Sequence, residues 1–291
     1  MKRTLILTLL TIFSTTWSFA KDYKISSPDG KISLNVNVDA GIKWSVTREG
    51  KEIIANSKIA MILADGKILG ENEKVKKTAA TRLNDIIKPV VANKRSEIAD
   101  NCNILTITFN SGFSIQFRAY NDGVAYRFET SLKEEITVKN EVSEFVFPTG
   151  TYSWYPLETS FMSHNERTFI YSSIDTLVNK HLASLPTLFQ VNGVDVLITE
   201  SDIDDYPGMW LVGAGSGKIS GTWSGYPETE KLSRDRDLLV TARKDYIART
   251  NGTRTFPWRV FVIAGNDVKL LESDLVYKVF KDLPKRPEIL K

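Results

Sequence analysis

A two-residue hydrophobic period recurs along most of this 291-residue chain, and it restricts the possible folds more than any other feature. Ile32, Leu34, Val36 and Val38 alternate with polar neighbours. After Asp39-Ala40-Gly41, Ile42, Trp44 and Val46 do the same. Leu105, Ile107 and Phe109 lead through Asn110-Ser111-Gly112 to Phe113, Ile115 and Phe117, and Asn121-Asp122-Gly123 turns the chain into Val124, Tyr126 and Phe128. Side chains of a strand alternate between two faces, so each run has one face for a core and one for water or a second layer. Further strands are expected at Ile136–Val142, Leu188–Val191, Val194–Thr199, Lys218–Trp223, Asp237–Ala242 and Trp258–Ala264. The polar stretch Thr78–Lys94 reads as a long loop or weak helix, and Ser273–Lys281 as a short helix or a strand pair. Many short strands without crossover helices predict an all-β sandwich of large antiparallel sheets.

The first twenty residues read as an address. Lys2 and Arg3 precede an apolar run, Thr4–Phe13, and Ser18-Phe19-Ala20 offers a small-x-small cleavage site before Lys21. This is the pattern of a secretory signal peptide, so an exported, periplasmic or extracellular protein beginning near Lys21 is expected. No other apolar run is long enough for a membrane span. Without Lys2 and Arg3 the slight excess of Lys+Arg (38) over Asp+Glu (35) nearly vanishes. No basic cluster interleaved with aromatics stands out, which argues against nucleic acid as a partner. Cys102 is the only cysteine, so the chain depends on its core rather than on an internal disulfide. One cysteine and two histidines also exclude a Cys/His zinc site. Roughly 270 residues remain after the leader, enough for one large β domain or two smaller ones.

Chemistry gathers around Val194–Leu211. Val194, Val196 and Ile198 share one face, and Glu200 falls on the same parity, just before an acidic turn closed by Tyr206-Pro207-Gly208. A carboxylate in phase with a core face is costly unless a metal ion or a buried Arg/Lys compensates it. Alternatively, the strand ends at Thr199 and Glu200 is solvated. Asp202, Asp204 and Asp205 lack the glycine and distal glutamate of an EF-hand loop. P-loop, dinucleotide, nucleophile-elbow and paired-histidine motifs are absent. His164 and His181 are the only histidines, and either could act as acid to a Glu200 base in a mutarotase-type reaction. Among the aromatics, Trp44, Trp210 and Trp258 read as packing residues. Trp223, beside Ser224-Gly225-Tyr226-Pro227, reads as exposed and, with Tyr226, as a sugar-stacking candidate.

Five blocks, in order, carry a resemblance: Ser27-Pro28-Asp29-Gly30-Lys31; Phe117 through Phe128; Ile198-Thr199-Glu200-Ser201-Asp202 running into Asp205-Tyr206-Pro207-Gly208-Met209; Arg254-Thr255-Phe256-Pro257-Trp258-Arg259; and Ser273 through Lys278. Together they resemble the N-terminal domain of glycoside hydrolase family 97, exported α-glucosidases and α-galactosidases. The resemblance implies a galactose mutarotase-like β-supersandwich over residues 21–272, with 273–291 leading into a (β/α)₈ barrel that this sequence lacks. In the family the barrel carries the catalytic carboxylates, so no catalytic residue is expected here. It also implies that Glu200 is one ligand of a calcium ion shared with the barrel, bound weakly or not at all by this chain alone. The implied substrates are α-linked glucosides or galactosides, and the implied partner is the barrel, in cis or in trans. The alternatives are a free-standing carbohydrate-binding sandwich using Trp223 and Tyr226, or a mutarotase-like epimerase.

Overall fold

The computed structural model describes residues 21–89, 91–178, 181–233 and 238–280. The expected leader, residues 1–20, and the segment 281–291 lie outside the described residues. Two antiparallel sheets face each other. One runs, neighbour by neighbour, through Val75–Ile87, Ile98–Phe109, Phe113–Tyr120, Gly123–Ser131, Trp258–Ala264, Val194–Ser201, Thr187–Val191, Tyr152–Glu158 and Phe169–Ser173. The other begins with Lys21–Ser26, Ile32–Val38, Ile42–Arg48, Lys51–Leu63 and Ile136–Val146. It continues through Lys218–Thr222, Trp210–Gly215 and Leu182–Ala183 to the far end of Tyr152–Glu158, which joins the two layers. The expected all-β antiparallel sandwich is the observed fold.

Alternation decides which residues meet between the layers. Ile32, Leu34 and Val36 on one sheet and Ile107, Phe113, Ile115 and Phe117 on the other are all buried in a single apolar cluster. Trp44 crosses the interface, edge-on to Tyr126 (5.3 Å between centroids) and Phe261 (5.0 Å), with Phe145 packed on the other side of the Phe261 contact at 5.3 Å. Such pairs add roughly 0.5–1.5 kcal/mol each beyond their area. The interior is therefore aromatic, and any charge within it needs a local partner.

One expectation fails for an identifiable reason. Thr78–Lys94 is not loop or helix over most of its length: Val75–Ile87 is a strand laddered to Ile98–Phe109. It is an edge strand whose side chains are mostly exposed, so no core face imposes alternation on its sequence. Of the two readings of Ser273–Lys281, the short helix is the one that forms. Helix Leu275–Val279 buries Leu275 and Val279 on the outer face of the first sheet, in a small cluster with Tyr120, Trp258, Val260 and Val262. Asp122 ties this segment down, accepting from Ser273 Oγ at 2.8 Å and from Lys278 Nζ at 3.1 Å.

Gly123 shows how closely its strand, the neighbouring strand Trp258–Ala264 and the helix approach one another at this point. Its φ is +152°, and an added Cβ would overlap the Phe261 carbonyl oxygen and lie 2.7 Å from Leu275 Cδ2. Backbone atoms cannot move aside cheaply. Gly123→Ala should destabilise the domain by about 3 kcal/mol or more, read as a lowered urea midpoint. A loss below about 1 kcal/mol would show that the helix and sheet are less tightly seated than described.

Candidate functional site

Glu200 sits where its parity put it. In the ladder between Val194–Ser201 and Trp258–Ala264 it lies directly opposite Arg259, which is itself opposite Tyr126. Arg259 shares its face with Phe261 and Ile263, so its guanidinium enters the core, and its side chain is only 2% exposed. One nitrogen, Nη1, donates to Glu200 Oε1. The other, Nη2, donates to both oxygens of Glu141 at 2.9 Å. Glu200 Oε2 accepts the Met209 backbone N–H at 2.6 Å, and Glu141 Oε1 also accepts from Tyr206 Oη at 2.8 Å. The turn expected from Tyr206-Pro207-Gly208 thus supplies two of the donors.

The result is two carboxylates on one guanidinium, with Glu200 8% exposed and Glu141 sealed at 0%. Trp223 lies against the guanidinium, its ring 5.1 Å from Arg259 Cζ. Burial pushes the Glu200 carboxyl above the usual carboxylate range, against the pull of Arg259 and the Met209 N–H. Tyr126 and Tyr206 are likewise held above the ordinary phenol value, chiefly by burial, so both remain neutral donors. Of the two compensations that the Glu200 parity called for, a cation or a buried basic side chain, this chain provides the second. Among the described residues no group of three or more His, Cys, Asp or Glu side chains converges to hold a metal ion.

The other candidates divide. Trp223, expected to be exposed, is 6% exposed and belongs to the main core cluster. It follows the strand Lys218–Thr222 but folds inward beneath Arg259, so that face of the ring is not free for a sugar. Tyr226 is 48% exposed, stacks on Tyr246 at 5.7 Å, and borders an open cleft of about 430 Å³ with Tyr206, Pro207 and Arg249. Trp44 and Trp258 are buried as expected, whereas Trp210 is half-buried, edge-on to Phe161. His164 is exposed in the loop before Phe169–Ser173, and His181 Nδ1 accepts the Val178 N–H at 3.0 Å. Neither histidine is a partner of Glu200, so the acid–base pair of a mutarotase is not assembled.

The residues that sequence reasoning missed are Arg259 and Glu141. Arg259 was readable, since it falls in phase with Phe261 and Ile263. Glu141 was not, because the ladder to Lys51–Leu63 shifts register between Val138 and Asn140. That irregularity moves Glu141, Ser143 and Phe145 to the core face that Ile136 and Val138 occupy before it.

Comparison with known proteins identifies the family of the fold. The family model for the glycosyl-hydrolase 97 N-terminal domain matches residues 25–281. The chain belongs to this family. It is 31% identical over 290 residues to the retaining alpha-galactosidase of Bacteroides thetaiotaomicron, covering 95% of this chain and 44% of that protein. A family 97 enzyme of Pseudoalteromonas sp. strain K8, solved with panose and with acarbose, superposes with a TM-score of 0.74 at 20% identity, over 87% of this chain and 37% of that one. A beta-arabinopyranosidase superposes with a TM-score of 0.75 at 20% identity, over 91% and 44%. The chain therefore spans less than half the length of these relatives.

Removing Arg259 would strand two buried carboxylates. Arg259→Met should cost about 3–5 kcal/mol in urea unfolding. Glu200→Gln, which keeps a carbonyl acceptor for the guanidinium, should cost about 1 kcal/mol. Equal, small losses for both variants would mean that the ion cluster does not hold the site together.

Proposed function

We propose that this domain walls one side of a sugar pocket in a family 97 exo-α-glycosidase and contributes Glu200 as one ligand of a calcium ion. The observation that carries the reading is the position of Glu200: at the end of its strand, beside the turn 202–208, with its carboxylate aimed and held by Arg259 and the Met209 N–H. Each of its oxygens makes one hydrogen bond within the chain and keeps a second lone pair. Calcium takes about six to eight oxygens, so these donors fit it as one corner of a shared shell and not as a complete site. When bound, the ion would supply charge stabilisation at the sugar. The residues of this chain would orient one ligand and exclude water from one side.

Within the ion cluster the same geometry leaves no free pair of carboxyl groups for hydrolysis. Glycoside hydrolysis needs two accessible carboxyl groups, roughly 5 to 9 Å apart. Glu141 and Glu200 are both committed to Arg259, and Glu141 is sealed from solvent. The relatives' names extend to an alpha-galactosidase and to an enzyme holding the gluco-oligosaccharide panose, so α-galactosides and α-glucosides are the substrate classes to test. The sugar-facing aromatic of this reading is Tyr226 rather than Trp223. Its exposed ring also suits the second reading, a carbohydrate-binding sandwich, in which the domain would hold glycans without cleaving them.

Aryl α-galactoside and α-glucoside assays on the purified domain, with and without calcium, should show no turnover above buffer. Turnover that disappears in Glu200→Gln would overturn the assignment of catalysis to another domain. Tyr226→Ala should change stability by less than about 0.5 kcal/mol, because the ring is exposed. Any glycan binding by the domain should fall with it, and binding that survives the substitution removes Tyr226 from the sugar-facing surface.

A further inference from the structure

We propose that the strand Phe169–Ser173 is a self-association edge, pairing antiparallel with the same strand of a second copy of this chain. The strand ends the first sheet. Among the described residues its only ladder partner is Tyr152–Glu158, so its other side offers unpaired backbone donors and acceptors. Phe169, Ile170 and Tyr171 are 46%, 46% and 47% exposed. Phe169 and Tyr171 project to one face and Ile170 to the other. On the first face Tyr171 lies between Tyr152 (5.2 Å, 19° between planes) and Trp154 (4.8 Å), and its hydroxyl donates to Gln190 Oε1 at 2.8 Å. On the second, Ile170 borders a groove of about 270 Å³ with Tyr155, Leu157, Leu177 and His181.

The two edges of this sheet differ in the way that matters. Free edges invite pairing, and natural sheets blunt them with charge, proline or bulges. The opposite edge, Val75–Ile87, carries Lys76, Lys77, Arg82 and Asp85. Phe169–Ser173 carries no charge, proline or bulge.

A second copy is the occupant because the strand is complementary to itself. Antiparallel pairing about a two-fold axis at Ile170 sets each Phe169 opposite the other copy's Tyr171 and Ile170 opposite its own counterpart. Thr168 meets Ser172, and no like charges are opposed. Cross-strand aromatic pairs stabilise a sheet, and a two-fold contact uses every such pair twice. The sheet would then run unbroken from one molecule into the other, with the Tyr152–Tyr171–Trp154 file extended by Phe169 of the second copy.

Sedimentation of the whole chain across roughly 1–100 µM should show a concentration-dependent dimer. Ile170→Lys should weaken it at least about tenfold, with circular dichroism and melting midpoint unchanged. Ile170→Cys should cross-link into a dimer on oxidation, because the two-fold puts the introduced thiols opposite each other. Leu271→Cys, at a site 75% exposed elsewhere, should not. Cys102 is buried and does not interfere. A chain that stays monomeric at 100 µM, a dimer untouched by Ile170→Lys, or failure of the Ile170→Cys chain to cross-link faster than Leu271→Cys would each overturn the proposal. So would a monomer whose Phe169–Ser173 edge binds the catalytic portion of a family 97 enzyme instead. If Ile170→Lys misfolds, the cross-linking comparison decides alone.

Discussion

The ion cluster of Glu141, Arg259 and Glu200 is the constraint around which this end of the sandwich is arranged. A guanidinium inside an aromatic core is tolerable only with its donors filled and its charge matched. Two carboxylates match the charge and accept from both Nη atoms, and each then takes a donor of its own. Tyr206 Oη supplies one and the Met209 N–H the other, both from the turn that follows Glu200. Consequently the loop conformation, the seating of Trp223 and the aim of Glu200 are not independent. Hydrophobic packing makes the sandwich, and the cluster decides how its functional corner is shaped.

That arrangement bears on the proposed calcium ligation. Two carboxylates and one guanidinium leave the cluster one positive charge short when both acids are ionised. A divalent cation approaching Glu200 would supply the missing charge on the side away from Arg259, without displacing it. Under the proposed calcium role, Arg259 would act as a splint for Glu200 rather than as a competitor of the ion. Glu141, closed off and bound to the guanidinium through both oxygens, also anchors the Tyr206 hydroxyl.

The sequence made the fold readable wherever a strand had one dry face. Ile32–Val38, Phe113–Tyr120 and Trp258–Ala264 announce themselves by alternation or by continuous apolar character. Val75–Ile87 was hidden because an edge strand exposed on most sides has no hydrophobic period to display. At the site, Glu200 was legible from parity, and Arg259 was equally so once its neighbours Phe261 and Ile263 are taken as core. Glu141 was masked by a register shift that inverts the parity along its strand. Trp223 misled for a different reason. Its Ser-Gly-Tyr-Pro surroundings signal a turn, but a turn can direct a large ring inward, and here the flat face of a guanidinium receives it.

The central proposal is that this domain supplies one aimed calcium ligand and no complete calcium site. Calorimetric titration of calcium into the purified, metal-stripped domain tests it most directly. The account predicts no saturable binding at free calcium below about 1 mM. Stoichiometric binding in the micromolar range, abolished by Glu200→Gln, would contradict it and place a full coordination shell within this chain.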